Sequence, residues 1–320
     1  MGKNTQTKLI IFGSQGLVGS ALINEFQKDQ EAFTIVPISR KDADLTNQST
    51  TFDLIKSIQP DGIIIAAAKV GGILSNHTFP KDFIYDNLAL QLNIIEGAFL
   101  AGTNKLIFLG SSCIYPKEID RPILESDLLS GPLEPTNEPY AIAKIAGIKL
   151  CQSYNRQYGT DYRCLMPTNL YGPYDNFHPE HSHVIPALIH RFHQAKVEGA
   201  ARITIWGHPS TRREFLYVSD LAQAVKFTFD LSKRDFDLAT ESRPPILNVG
   251  YGTDMSIAEL AEKIRHVTKF KGIIEYDTSQ LTGTPKKLLD SSVIHSLGWS
   301  PTINIDQGLA ETYEYYKNLI

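Results

Sequence analysis

Short runs of apolar residues alternate with amphipathic stretches through the first half of the chain. Residues 8–12, 34–38, 62–67, 105–109 and 162–165 read as strands, and the stretches from Leu17 and over 50–58, 83–101 and 140–158 read as helices. The strand runs are apolar at consecutive positions, not only at alternate ones. That is the pattern of parallel strands covered on both faces by crossover helices. It predicts an α/β chain built on a doubly wound, mostly parallel sheet.

Beyond Met166 the regularity weakens. Residues 171–183 and 207–213 read as loops, 202–206 as a strand, and 184–195, 218–230 and 256–268 as helices. The expectation is a smaller C-terminal α/β domain for substrate. Residues 1–170 form the nucleotide-binding domain, rejoined by about 214–250, where the apolar run 247–249 returns to the sheet; 171–213 and 251–320 form the second domain. No repeat or low-complexity linker divides the chain.

With 320 residues, 42% of them hydrophobic and 21% charged, the chain has the composition of a globular protein with a substantial core. The net charge of −4 and the lack of any long basic run argue against nucleic acid or an anionic membrane as partner. The three cysteines, Cys113, Cys151 and Cys164, form neither a CxxC pair nor an even framework, which fits a reducing compartment. A polar N-terminus and apolar runs too short to span a bilayer add to the expectation of a cytoplasmic protein.

A glycine-rich turn, Gly13, Ser14, Gln15, Gly16, Leu17, Val18 and Gly19, follows the first strand and opens the first helix. Backbone N–H groups and the helix N-terminus can meet a pyrophosphate there, because no Cβ blocks close approach. This is the dinucleotide end of a Rossmann sheet. The second strand ends in Ser39, Arg40 and Lys41, where an acidic residue would bind the ribose of NAD. Basic residues favour a 2′-phosphate and hence NADP(H), while Asp42 and Asp44 just beyond leave NAD open. Asp44 and Leu45 would flank the adenine, and Ala66, Ala67 and Ala68 would let the cofactor lie against backbone.

Tyr140 and Lys144 stand four apart on a predicted helix and so share one face. An ammonium beside a phenol makes a proton donor for a carbonyl that receives hydride, with the phenol drawn below its ordinary pKa of about 10. Ser111 follows the fourth strand.

Glycine turn, Ser111 and the Tyr140/Lys144 pair together resemble the extended short-chain dehydrogenases/reductases. The likeness is narrower still. Ala66 to Ile73, Leu109 to Pro116, Glu134 to Gly147, Met166 to Pro173, Asp175 to His178, His183 to Pro186, Arg213 to Leu216 and Gly283 to Asp290 resemble the GDP-L-fucose synthase family. Its members are 3,5-epimerases and 4-reductases of GDP-4-keto-6-deoxy-D-mannose. The resemblance implies NADPH as cofactor, Cys113 as the base and His183 as the acid of epimerisation, and Tyr140, Lys144 and Ser111 for the reduction. It also implies cofactor contacts from Leu109, Gly110, Ser111, Ser112, Pro167, Thr168, Asn169, Leu170 and His183. The GDP-sugar would fall to Arg191, Trp206, Arg213 and Lys287. Family members commonly carry Arg where this chain has Gln15, which leaves the 2′-phosphate to Arg40 and Lys41.

His178, His181 and His183 lack a standard zinc spacing, so no metal is expected. The resemblance also implies a homodimer, with the outer faces of 83–101 and 140–158 as the expected contact. Two other readings stand beside the first: another nucleotide-sugar epimerase or dehydratase of the same fold, and a non-catalytic NADP-sensing protein, which would have no need of a proton donor.

Overall fold

The computed structural model describes residues 6–179, 181–241, 244–279 and 283–320. Most of the polar N-terminus, residues 1–5, therefore lies outside the described residues. In chain order the elements are β1 (Thr7–Phe12), α1 (Leu17–Phe26), β2 (Phe33–Ile38), α2 (Gln48–Ile58), β3 (Gly62–Ile65), α3 (Ile73–Thr78), α4 (Pro80–Leu100), β4 (Lys105–Leu109), α5 (Glu138–Tyr158) and β5 (Asp161–Pro167). Then follow β6 (Asn169–Tyr171), α6 (Val184–Val197), β7 (Arg202–Trp206), β8 (Arg212–Tyr217), α7 (Val218–Asp230), α8 (Lys233–Thr240), β9 (Ile246–Val249) and β10 (Asp254–Ser256). The chain ends with α9 (Ile257–Thr268), β11 (Ile273–Asp277), β12 (Lys286–Lys287), α10 (Ser292–Ser296) and α11 (Ile305–Leu319).

Six parallel strands form the central sheet in the order β2-β1-β3-β4-β5-β9. The continuous apolar runs have their cause in its two cores. Ile10 and Phe12, Ile63 and Ile65, and Leu106 and Phe108 point to the side covered by α2, α4 and α5. Their neighbours Leu9 and Ile11, Ile64, and Ile107 and Leu109 point to the side covered by α1 and α7. A strand buried on both faces has no polar alternate. On the second side Phe26, Phe33 and Phe229 meet edge to face at 5.0, 5.9 and 5.8 Å, which ties α1, β2 and α7 together.

The order reverses between β1 and β3, and ligands of such sheets sit at the carboxyl ends of the strands beside that point. The glycine turn, Ala66–Ala68 and Ser111–Cys113 all lie at those ends.

The second layer group is built on β10-β8-β12, with β6 also paired to β8, and on the separate pair β11-β7. Its core gathers residues of α6, α9 and α11, among them Ile189, Phe192, Leu260, Ile264 and Tyr316. Here the structure departs from the sequence expectation. Arg212 and Arg213 begin a strand where a loop was expected, because β10 and β12 flank β8 and supply its backbone partners despite its charged side chains. The expected loop from 171 begins inside β6, which pairs with Phe215–Tyr217. The sequence reading did not place α3, α8 or α11, although Leu309, Tyr313 and Tyr316 of α11 recur at helical spacing.

Candidate functional site

Gly13 adopts φ +86°, a left-handed conformation, and a Cβ there would stand 2.7 Å from the Ala67 nitrogen. A Cβ on Gly19 would collide with the Gly13 carbonyl, so the helix seats on the turn only with glycine at that place. Gly16 precedes α1 without a side-chain cap, and the first turn of α1 carries no acidic residue. Its N–H groups and the positive end of its dipole are thus presented to an anion.

At the end of β2, Arg40 and Lys41 are exposed. Asp42, also exposed, bends back onto its own turn: its Oδ2 accepts hydrogen bonds from the Ser39 hydroxyl at 2.7 Å and the Ser39 N–H at 2.8 Å, which lower its pKa. Asp44 likewise accepts from the Thr46 N–H at 3.0 Å and hydroxyl at 2.7 Å. Each carboxylate has one oxygen engaged within its own turn, while Arg40 and Lys41 stand exposed beside them as cations for the cofactor's ribose. Asn93 donates to the carbonyls of Leu45 and Thr46 and pins the turn on which the adenine would rest. A shape that a Cβ would fill, an uncapped helix end and two exposed cations fit an NADP-type dinucleotide.

Past β4 the chain makes a single 3₁₀ turn, Ser112–Ile114, and the Ser111 hydroxyl accepts from the Cys113 N–H at 3.2 Å. The Ser111 side chain is also hydrogen-bonded to Tyr140. Tyr140 and Lys144 project from α5. Lys144 is buried, donates to the Leu109 carbonyl at 2.8 Å and lies 5.9 Å from the Tyr140 ring centre. Burial lowers its pKa from 10.5 to about 8. The Tyr140 phenol is shifted in the opposite sense to the one expected. Burial, with the electrostatic effect of the nearby Cys113, raises its pKa above 10, and only the Ser111 hydrogen bond acts to lower it. The phenol keeps its proton through the physiological range, the state a donor requires.

Cys113 is the meeting point of four elements. Its Sγ lies 3.6 Å from the Asn137 Nδ2 and 4.0 Å from the Lys287 Nζ. Arg213 stands opposite Lys287 in the β8–β12 ladder and interacts electrostatically with both Cys113 and Glu134. The structure thus joins Arg213 and Lys287 to Ser111, Cys113, Tyr140 and Lys144. Arg191 and Trp206 form a cluster of their own, with the guanidinium 4.2 Å above the indole and an Nη2 hydrogen bond to the Pro179 carbonyl at 3.1 Å. They line an open cleft of about 400 Å³.

His183 is the residue before α6, its side chain makes no cap there, and desolvation lowers its pKa. The preceding loop is anchored to the β3 side: the His181 carbonyl accepts from the Gly72 N–H at 3.3 Å, and its Nδ1 lies 3.3 Å from the Ser75 hydroxyl. The Thr168 hydroxyl and the Asn169 Nδ2 donate to the Glu214 carbonyl at 3.2 and 2.8 Å.

The sequence reading missed Asn137, Glu134 and Glu214. Glu214 is fully buried and accepts from the Gly252 N–H at 2.8 Å and the Leu289 N–H at 3.0 Å, which fixes the segment carrying Lys287 beside Arg213. Asn137 lies three residues before Tyr140, and that i, i+3 spacing was a readable signal.

The model of the family "NAD dependent epimerase/dehydratase family" matches residues 9–249. The chain belongs to that family. It is 48% identical to a GDP-L-fucose synthase of Escherichia coli strain K12, over 98% of this chain and 97% of the relative. Among solved structures it is similar to a GDP-mannoheptose C4 reductase from Campylobacter jejuni with NADP bound, at 35% identity and a TM-score of 0.87, covering 99% of this chain and 100% of the other. A GDP-L-fucose synthetase from Naegleria fowleri bound to NADP has 27% identity and a TM-score of 0.87, covering 98% and 95%. Among the described residues no helix is long and apolar enough to cross a membrane.

Proposed function

We propose that this member of the epimerase/dehydratase family converts GDP-4-keto-6-deoxy-D-mannose to GDP-L-fucose, inverting C3 and C5 and then reducing the C4 ketone with NADPH. One observation carries the reading: a cysteine flanked by an amide and an ammonium shares a serine with a protonated tyrosine. A reductase alone needs the tyrosine and serine; a positively framed thiol beside them supplies a base.

The ketone acidifies C3 and C5, and Cys113 takes a proton from each while the electron pair moves into the carbonyl as an enolate. His183 returns a proton on the opposite face. Bound NADPH supplies hydride to C4 when the inverted sugar is in place. Tyr140 gives its proton to the C4 oxygen, Ser111 holds that oxygen, and Lys144 keeps a positive charge beneath the phenol. The glycine turn, Ala66–Ala68 and the α1 N-terminus hold the dinucleotide, and Arg40 and Lys41 its 2′-phosphate. Arg191 and Trp206 suit the GDP moiety, while Arg213 and Lys287 serve the sugar end beside Cys113.

Residues 1–170 with 214–250 carry the cofactor, and 171–213 with 251–320 the substrate. Tyr85, Leu92 and Leu100 of α4 and Ile142 and Tyr158 of α5 are exposed, and this apolar surface supports a homodimer through the two long helices. Three free thiols support a cytoplasmic location.

The test is NADPH consumption by purified protein with GDP-4-keto-6-deoxy-D-mannose, NADH in parallel and the product sugar identified. Stoichiometric oxidation with GDP-L-fucose formed is the expected result. Oxidation that yields only the uninverted C4 alcohol would reduce the function to a simple C4 reductase.

A further inference from the structure

Asn137 is the residue before α5, a place where an asparagine ordinarily turns its Oδ1 back to cap the first N–H groups of the helix. It makes no such cap. Its Nδ2 points at the Cys113 sulfur at 3.6 Å, and its Oδ1 is buried without a hydrogen-bond partner. The side chain has forgone its usual structural role in favour of the sulfur.

Its backbone is firmly placed. The Asn137 N–H donates to the Glu134 carboxylate at 3.2 Å and its carbonyl accepts from the Ala141 N–H at 2.9 Å. The Glu134 carboxylate is buried and also accepts from the Thr136 N–H at 3.1 Å. Asn137 and Tyr140, three apart at the head of one helix, therefore reach Cys113 from the same face. Lys287 completes the frame at 4.0 Å, on a strand aligned with Arg213.

We propose that Asn137 is a positioning residue that, together with Lys287, holds Cys113 as a thiolate and so sets how fast the carbon-bound protons are exchanged. This rests on the reading of Cys113 as the epimerisation base. An amide is suited to both protonation states of a sulfur that must take up a proton and release it again. Its N–H donates to the thiolate; turned through half a revolution, its now unpartnered oxygen accepts from the S–H formed when the substrate's C–H bond breaks. Lys287 supplies charge and Asn137 supplies direction, which an ammonium on a flexible stem does not.

The experiment uses the full chain and two variants, Asn137→Ala and Asn137→Asp. Asp matches Asn in shape and is a good residue before a helix, so a purely structural role predicts wild-type behaviour for it. The proposal predicts the reverse, because Asp has no N–H and brings a like charge to the sulfur. The first readout needs no substrate: alkylation of Cys113 by iodoacetamide at pH 7.5, followed on its peptide by mass spectrometry, with Cys151 and Cys164 buried. The second is solvent-deuterium incorporation at C3 and C5 of the keto sugar. Alkylation and incorporation should both slow about tenfold in Asn137→Ala and further in Asn137→Asp. Alkylation of the Asp variant within twofold of wild type overturns the proposal, as does slowed alkylation with unchanged incorporation. No incorporation by the wild-type protein would instead remove the base assignment while leaving the Asn137–Cys113 contact to be judged by alkylation alone.

Discussion

Lys144 carries its charge in a place that disfavours it, and the cost is measurable. An unfolded lysine titrates near 10.5, whereas burial brings Lys144 to about 8. A difference of about 2.5 pH units corresponds to about 3 kcal/mol, and with 3% of the residue exposed little of it is lost to solvent screening. The sign follows from proton counting. Below about pH 8 the side chain is charged in both states and the fold bears the full penalty. Between about 8 and 10.5 the unfolded chain binds more protons than the folded one, so stability rises with pH. Lys144→Met removes the titration. It also leaves the Leu109 carbonyl without its donor, a loss that does not change with pH. The measurement is chemical denaturation of both proteins from pH 7 to pH 10, taking wild type minus variant so that other titrations cancel. That difference should shift in favour of wild type by about 2–3 kcal/mol. A flat difference would refute the burial argument. In catalysis the same titration removes the charge beneath Tyr140, so kcat/KM for reduction should fall on the alkaline side with a limb near pH 8.

Four other outcomes are expected. Tyr140→Phe should lower NADPH oxidation by about 10²–10⁴-fold while deuterium exchange at C3 and C5 persists, as read by mass spectrometry of recovered sugar. Arg40→Ala should raise the KM for NADPH several-fold more than that for NADH in parallel steady-state assays; equal changes would remove Arg40 from the 2′-phosphate. Gly19→Ala drives a methyl group into the Gly13 carbonyl and should cost about 1–3 kcal/mol, seen as a lower thermal midpoint together with weaker NADPH binding. If the proposed homodimer forms through α4, the wild-type protein should sediment as a dimer and Leu92→Glu, on the exposed face of α4, as a monomer in sedimentation velocity.

Local order determined what the sequence could disclose. Strands buried on both faces must be apolar throughout, so 8–12, 62–67 and 105–109 announced a parallel sheet. A helix repeats every 3.6 residues, so Tyr140 and Lys144 had to share a face; a strand running into glycines and a helix had to leave N–H groups open to an anion. Tertiary structure decided everything that depended on residues far apart in the chain. Lys287 reaches Cys113 across a separation of 174 residues, through a ladder with Arg213 that a buried Glu214 holds in register. The presence of Asp42 next to the basic pair left NAD open; its engagement by Ser39 was visible only once the turn had folded. The sign of the Tyr140 shift was unreadable for the same reason. The spacing put an ammonium near the phenol, but burial and the sulfur, both products of long-range packing, set the direction of the shift.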